Sequence, residues 1–191
     1  PNELTTLTND QARHLADLTR LGMAGNLADF VLIDKDGAVK RGSEIDYNGA
    51  PGGYAADPTE VVNYVSKHDN QTLWDMISYK AAQEADLDTR VRMQAVSLAT
   101  VMLGQGIAFD QQGSELLRSK SFTRDSYDSG DWFNRVDYSL QDNNYNVGMP
   151  RSSDDGSNYD IIARVKDAVA TPGETELKQM TAFYQELTAL R

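Results

Sequence analysis

Val61-Val62-Asn63-Tyr64-Val65-Ser66-Lys67-His68-Asp69-Asn70-Gln71-Thr72-Leu73-Trp74-Asp75 changes character along its length. Val61–Val65 is a short β-branched and aromatic run, which predicts a buried parallel strand. Thr72, with Asp75 three residues on as a first-turn acid, predicts the start of a helix. His68, Asp69 and Asn70 fall between them, at the C-terminal tip of the strand, where α/β barrels build their active sites. A carboxylate beside an imidazole can orient a substrate and stabilise a developing positive charge. An ordinary structural explanation stands beside that one: Asp and Asn are favoured as helix N-caps. Spacing alone weighs the two about equally.

Outward from this stretch, strands and helices alternate. Toward the N-terminus, residues 10–24 have Leu15, Leu18 and Leu21 at helical spacing, a Thr8/Gln11 capping box, and Gly25-Asn26 as a stop. Phe30–Ile33 and Ala38-Val39 flank the turn Asp34-Lys35-Asp36-Gly37, which predicts a β-hairpin. Residues 48–58, rich in Gly, Ala and Pro, read as a loop. Toward the C-terminus, a helix apolar on most of its surface runs from about Thr89 to Leu103, and Gly104 and Gly106 end it. Ile107-Ala108-Phe109 reads as a second short strand. Residues 110–157 have no sustained period, and a stretch of that length without structure is more often functional than idle. Tyr159, Ile162, Val165 and Val169 recur at helical spacing. Leu177, Met180, Phe183, Tyr184, Leu187 and Leu190 mark an amphipathic helix at the C-terminus. The order predicts a parallel α/β architecture. Two core strands cannot close a barrel, and a (β/α)8 barrel needs roughly 250 residues. The strands are therefore expected to find neighbours in polypeptide outside this sequence.

Composition narrows the function. The chain has 191 residues, enough for one domain, and a net charge of −11. Nucleic-acid binding needs clustered Lys and Arg, so this balance argues against it. No apolar run is long enough to span a bilayer, and no signal-peptide pattern opens the chain. There are no cysteines, which excludes disulfides and thiolate metal sites. The sequence opens on Pro1 rather than Met, so its natural start is expected elsewhere.

Val65-Ser66-Lys67-His68-Asp69-Asn70-Gln71 resembles the fourth conserved motif of the α-amylase superfamily, glycoside hydrolase family 13. The longer run Tyr64–Asp75 is close to what the pullulanase group of that family carries. Gly104-Gln105-Gly106-Ile107-Ala108-Phe109-Asp110-Gln111-Gln112-Gly113-Ser114-Glu115 resembles the family's eighth-strand region, with Ala108 in place of the usual proline. The resemblance continues through Asp125-Ser126-Tyr127 and Gly130-Asp131-Trp132 to the last helix. It implies an α/β fold: the C-terminal portion of a (β/α)8 TIM-type barrel, incomplete in this chain. Residues 1–191 would run from the sixth helix to the eighth, with a long 110–157 loop, and the rest of the barrel and any other domains would lie outside.

The same resemblance implies an activity and its residues. The complete protein would be a retaining, starch-debranching glycoside hydrolase cleaving α-1,6 links in pullulan and branched dextrins. Of the family's three acting carboxylates, only the transition-state-stabilising Asp maps here, onto Asp69. His68 and Asn70 would bind sugar hydroxyls, and Asp125, Tyr127 and Trp132 are further substrate-binding candidates. No match to the nucleophile or acid motifs is present, so the chain alone is expected to be inactive and to need the remainder of the same enzyme. Aromatic faces suit stacking on sugar rings, but for each of Tyr127, Trp132, Phe133, Tyr138 and Tyr145 the weightier reading is that the ring pins a long loop to the body. The chemistry requires no cofactor. A structural calcium is a candidate at clusters such as Asp154-Asp155, without EF-hand spacing. Glu115 is expected to hold the strand tip rather than touch substrate, and His14 to lie at a surface or boundary. Family resemblance also implies a secreted or cell-surface location. The rival from another class is a non-catalytic α-glucan-binding module, which would keep the aromatics and Asp69 and need no nucleophile. A self-contained α/β domain of unrelated function is a third reading.

Overall fold

Thr8 caps the first helix, α1 (Asn9–Met23), through the capping box the sequence predicts. The Thr8 hydroxyl accepts from the Gln11 N–H, and the Gln11 side chain accepts from the Thr8 N–H at 2.8 Å. The structure, a computed structural model, describes residues 6–191. Leu21 is fully buried while Leu15 is exposed, so only the C-terminal end of the apolar stripe reaches the core. The predicted hairpin follows: β1 (Val31–Ile33) pairs antiparallel with β2 (Val39–Arg41). Asp34 closes its turn by accepting from the N–H groups of Asp36 and Ala38, each at 2.9 Å.

The stretch read as a loop over 48–58 holds half of a second hairpin. β3 (Asp46–Tyr47) pairs with β4 (Ala50–Pro51) around Asn48-Gly49. These two residues have φ of 53° and 87°, the signature of a type I′ turn, for which Asn-Gly is the preferred pair. Gly53 is required for another reason. A Cβ there would meet the Gly42 carbonyl carbon at 2.6 Å and the Leu27 oxygen at 2.7 Å, so backbone packs on backbone.

β5 (Val62–Asn63) pairs in parallel with β6 (Ile107–Ala108), in register Val62↔Ile107 and Asn63↔Ala108. Between them come α2 (Leu73–Lys80) and α3 (Leu87–Met102). After β6 the chain forms the short helices α4 (Asp131–Asn134) and α5 (Ser152–Asp155), then α6 (Tyr159–Val165) and the long α7 (Glu174–Leu190). Helix α3 packs on α7, and α2 packs on both α3 and α6. The main core lies among these helices, with Trp74, Leu98, Leu117, Phe122, Ile162, Leu177 and Met180 almost wholly buried. A smaller cluster of Leu21, Leu32 and Ile45 lies under the first hairpin.

Three expectations need correction. The chain does not form a portion of a (β/α)8 barrel. Its described strands make three separate two-stranded sheets, only one of them parallel. Strands of two or three residues cannot carry a barrel wall, and helices bury the core instead. Val61–Val65 is a strand only over Val62–Asn63, and within this chain Val61 is buried while Val62 and Tyr64, like Ile107 and Phe109 opposite, are half exposed. β-Branched residues favour extended backbone whether or not anything covers them. Nor is 110–157 one loop without structure. Residues 116–117 and 119–123 are buried, and Leu117 and Phe122 sit in the main core.

Candidate functional site

The candidate site starts where the parallel pair ends. Phe109 N–H donates to the Asn63 carbonyl at 2.9 Å, and the chain then leaves the ladder. Ser66 is buried, and its hydroxyl donates to the Gln111 side chain at 2.6 Å, which ties the loop to the residues after β6. Beyond it, the His68 side chain is 84% exposed and that of Asp69 57%. Both oxygens of Asp69 are engaged by its neighbours. His68 Nδ1 lies 3.1 Å from Oδ1, and the Lys67 ammonium pairs with Oδ2. The Lys67 hydrogen bond is the main cause of a lowered Asp69 pKa; desolvation opposes it, and the charges of His68, Lys67 and Lys120 add to it. Asn70 follows in the left-handed region at φ 63°, which Asn tolerates better than most residues.

Neither Asp69 nor Asn70 caps the helix that follows. Thr72 does, its hydroxyl accepting from the Asp75 N–H at 3.2 Å. The exposed Asp69 is therefore not committed to the ordinary task that its position suggested.

Asp75 has the opposite environment. It is wholly buried. Its carboxylate accepts from the Ser119 hydroxyl, from Lys120 N–H at 2.9 Å and from Phe122 N–H at 3.2 Å. Burial pushes its pKa up against those hydrogen bonds. Ser121 and Phe122 have φ of 49° and 70°, a conformation that costs non-glycine residues free energy unless the surroundings impose it. Asp75 and the rings around Phe122 impose it. Tyr79 stacks on Phe122 with centroids 5.6 Å apart, and Tyr145 meets it edge-on at 5.1 Å. From the sequence Asp75 reads as a simple first-turn acid, and Lys120 has no assigned role. Lys120 is 1% exposed, and its Nζ donates to the His68 carbonyl at 3.1 Å.

The remaining candidates separate. Asp125 is exposed and close enough to Lys120 to affect its charge. Tyr127 is 83% exposed and Trp132 64%, so neither ring is spent on pinning the chain to the body. Trp132 Nε1 donates to the Val147 carbonyl at 3.2 Å, which fixes the ring edge and leaves its face open. Among the described residues no hydrogen bond joins Tyr127 or Trp132 to His68 or Asp69. Tyr145 is a pinning residue: it is buried and donates to the Val165 carbonyl at 3.2 Å. Glu115 accepts from Gly113 N–H at 3.0 Å and so braces the turn after β6. Asp154 pairs with Arg151 at 2.8 Å, and Asp155 accepts from Arg124 N–H at 2.9 Å. Among the described residues no group of three or more His, Cys, Asp or Glu is placed to hold a metal ion. No described helix is long and apolar enough to cross a membrane.

Comparison with known proteins gives the class first. Residues 140–191 match the C-terminal region of pullulanase-type alpha-1,6-glucosidases. The whole chain is then a segment of the pullulanase type. It is 99% identical over 191 residues to a pullulanase of Klebsiella aerogenes, of which it covers 17%. It is 41% identical over 172 residues to the chloroplastic pullulanase 1 of Arabidopsis thaliana, which takes in 89% of this chain and 18% of that one. A Klebsiella pneumoniae pullulanase crystallised with maltotriose superposes with a TM-score of 0.96 at 99% identity, over 100% of this chain and 18% of that one. The chain thus spans under a fifth of the length of these relatives.

Proposed function

We propose that the protein containing this chain hydrolyses α-1,6-glucosidic links in pullulan and related α-glucans with retention, and that this segment supplies Asp69 as the transition-state stabiliser. The relative crystallised with maltotriose supports an α-glucan as the substrate class. A retaining mechanism uses a nucleophile and an acid/base roughly 5–5.5 Å apart around an oxocarbenium-like transition state. Those two carboxylates lie outside this chain in this reading. The role left for Asp69 is to face the positive charge that develops on the reacting ring. Contacts that strengthen as the ring flattens raise kcat rather than ground-state affinity. His68 and Asn70 offer hydrogen-bonding groups to the sugar hydroxyls beside it. Asp125, Tyr127 and Trp132 would extend the surface, the two open rings offering faces for stacking.

One observation carries the reading: Asp69 is exposed, kept ionised by Lys67 and free of the helix cap. Asp69→Asn in the full-length enzyme tests it, because the shape is retained and the charge removed. The expected result is a kcat on pullulan lower by orders of magnitude, with little change in substrate binding or Tm. A kcat near that of the wild type ends the reading.

A further inference from the structure

Lys120 is a buried lysine that the proposed chemistry does not use. A lysine side chain is seldom buried to this degree, and burial of an ammonium costs free energy unless partners compensate. Here desolvation draws its pKa down, Asp75 opposes that most strongly, Arg118 adds to the lowering, and Asp125 and Asp155 oppose it further. Yet Lys120 makes no salt bridge to any of these carboxylates. The hydrogen bond its ammonium makes is to the main-chain carbonyl of His68.

That bond matters because the loop has little else. Among the described residues, the backbone of 64–71 makes no main-chain hydrogen bond. Its other anchor is the Ser66–Gln111 side-chain bond, and the Lys67–Asp69 pair is internal to the loop. The far end of the connection is rigid. The Lys120 N–H is held by the buried Asp75 carboxylate, in a segment with two left-handed residues packed into the core.

We propose that Lys120 is a positioning residue for the reaction at Asp69: held from behind by Asp75, it fixes the His68 carbonyl and with it the loop that carries His68, Asp69 and Asn70. The inference rests on the role given to Asp69 above. Misplacement of a reacting group by about 1 Å can cost on the order of a hundredfold in rate, so one bond to an otherwise loose loop is enough to matter. The Lys120 charge, standing behind Asp69, also favours its ionised form.

The test is a double-mutant cycle in the full-length enzyme, with Lys120→Met, Asp69→Asn and the pair. Lys120→Met is expected to lower kcat on pullulan about ten- to a hundredfold and to move the acid limb of kcat/KM to higher pH. In the Asp69→Asn background most of the Lys120→Met loss should disappear, since coupled residues are not additive. Lys120→Gln, polar but too short to reach the His68 carbonyl, is measured beside it and decides the matter if Lys120→Met does not fold. Asp69→Asn with collapsed kcat and Lys120→Met with normal kcat and an unmoved acid limb would overturn this proposal alone. Losses that multiply in full would also overturn it, by showing general damage. Near-normal kcat in Asp69→Asn would overturn the underlying reading, and this proposal with it.

Discussion

Asp69 and Asp75 stand on either side of the Thr72 cap and have been given opposite surroundings. Asp69 is exposed, on a loop without main-chain hydrogen bonds, with its pKa lowered by the adjacent ammonium of Lys67. Asp75 is buried, on a helix, with its pKa raised by desolvation, and its oxygens are taken up by donors of the 119–122 segment. A carboxylate of the first kind can meet a substrate; one of the second kind can only hold a structure. The contrast also shows how the two are joined, because the segment that Asp75 clamps includes Lys120, which holds the loop of Asp69.

Exchanging the kind of measurement gives the largest contrast. Removal of the Asp69 charge should appear in turnover and not in Tm. Removal of the Asp75 side chain should do the reverse. Asp75→Ala strands three buried donors, each costing roughly 1–3 kcal/mol when unpaired, so a loss of about 3 kcal/mol or more is expected in denaturant unfolding of the full-length enzyme. A loss below about 1 kcal/mol, less than one stranded donor costs, would break the comparison.

Asp75→Asn should do far less. One amide oxygen can still accept from Lys120 and Phe122 N–H, and the amide N–H can donate to the Ser119 hydroxyl. A cost of about 1 kcal/mol, one ordinary hydrogen bond, is expected, and it should depend on pH. Because the folded pKa of Asp75 is raised, its contribution to stability is complete below the ordinary carboxylate range and is lost as pH rises through the raised value. Asn does not titrate. The variant should therefore compare better with the wild type at neutral pH than in acid. Stability curves at two pH values check the sign, and the opposite trend would mean that Asp75 is held ionised.

What could be read beforehand follows the range of the interactions involved. The Thr8/Gln11 box, the first hairpin and the last helix are local patterns, and all three formed where the residues indicated. The Asn48-Gly49 turn was equally local; its signal was present but submerged in a Gly- and Pro-rich stretch. Asp75 was not legible. A first-turn acid looks the same whether it meets the helix dipole or a segment more than 40 residues away in sequence. Lys120 was hidden for a similar reason, since composition places lysine at the surface. The exposure of Val62 and Ile107 agrees with strands expected to find their neighbours in other polypeptide, but strand propensity says nothing of what covers them. The His68-Asp69-Asn70 cluster could be picked out, but its freedom from capping could not. Thr72 and Asn70 are both acceptable caps, and only the geometry chooses Thr72.

Lys67 offers the smallest and most discriminating effect. It is the chief cause of the lowered Asp69 pKa, yet it is partly exposed and so is Asp69. Exposed pairs of this kind contribute little to stability, so Lys67→Met should leave Tm unchanged. The lowered pKa means that any stability from the pair is present above the ordinary carboxylate range and lost as pH falls through the lowered value. Activity should follow the same sign. Without Lys67 the Asp69 carboxyl picks up a proton at a higher pH, so the acid limb of kcat/KM should move upward. At neutral pH Asp69 is ionised in either case, and kcat should stay close to that of the wild type. Lys120→Met, by contrast, should lower kcat at neutral pH as well, because it releases the loop itself. A neutral-pH loss in Lys67→Met as deep as that of Asp69→Asn would show that Lys67 meets the substrate directly, and would move it from neighbour of the reacting charge to partner in the reaction.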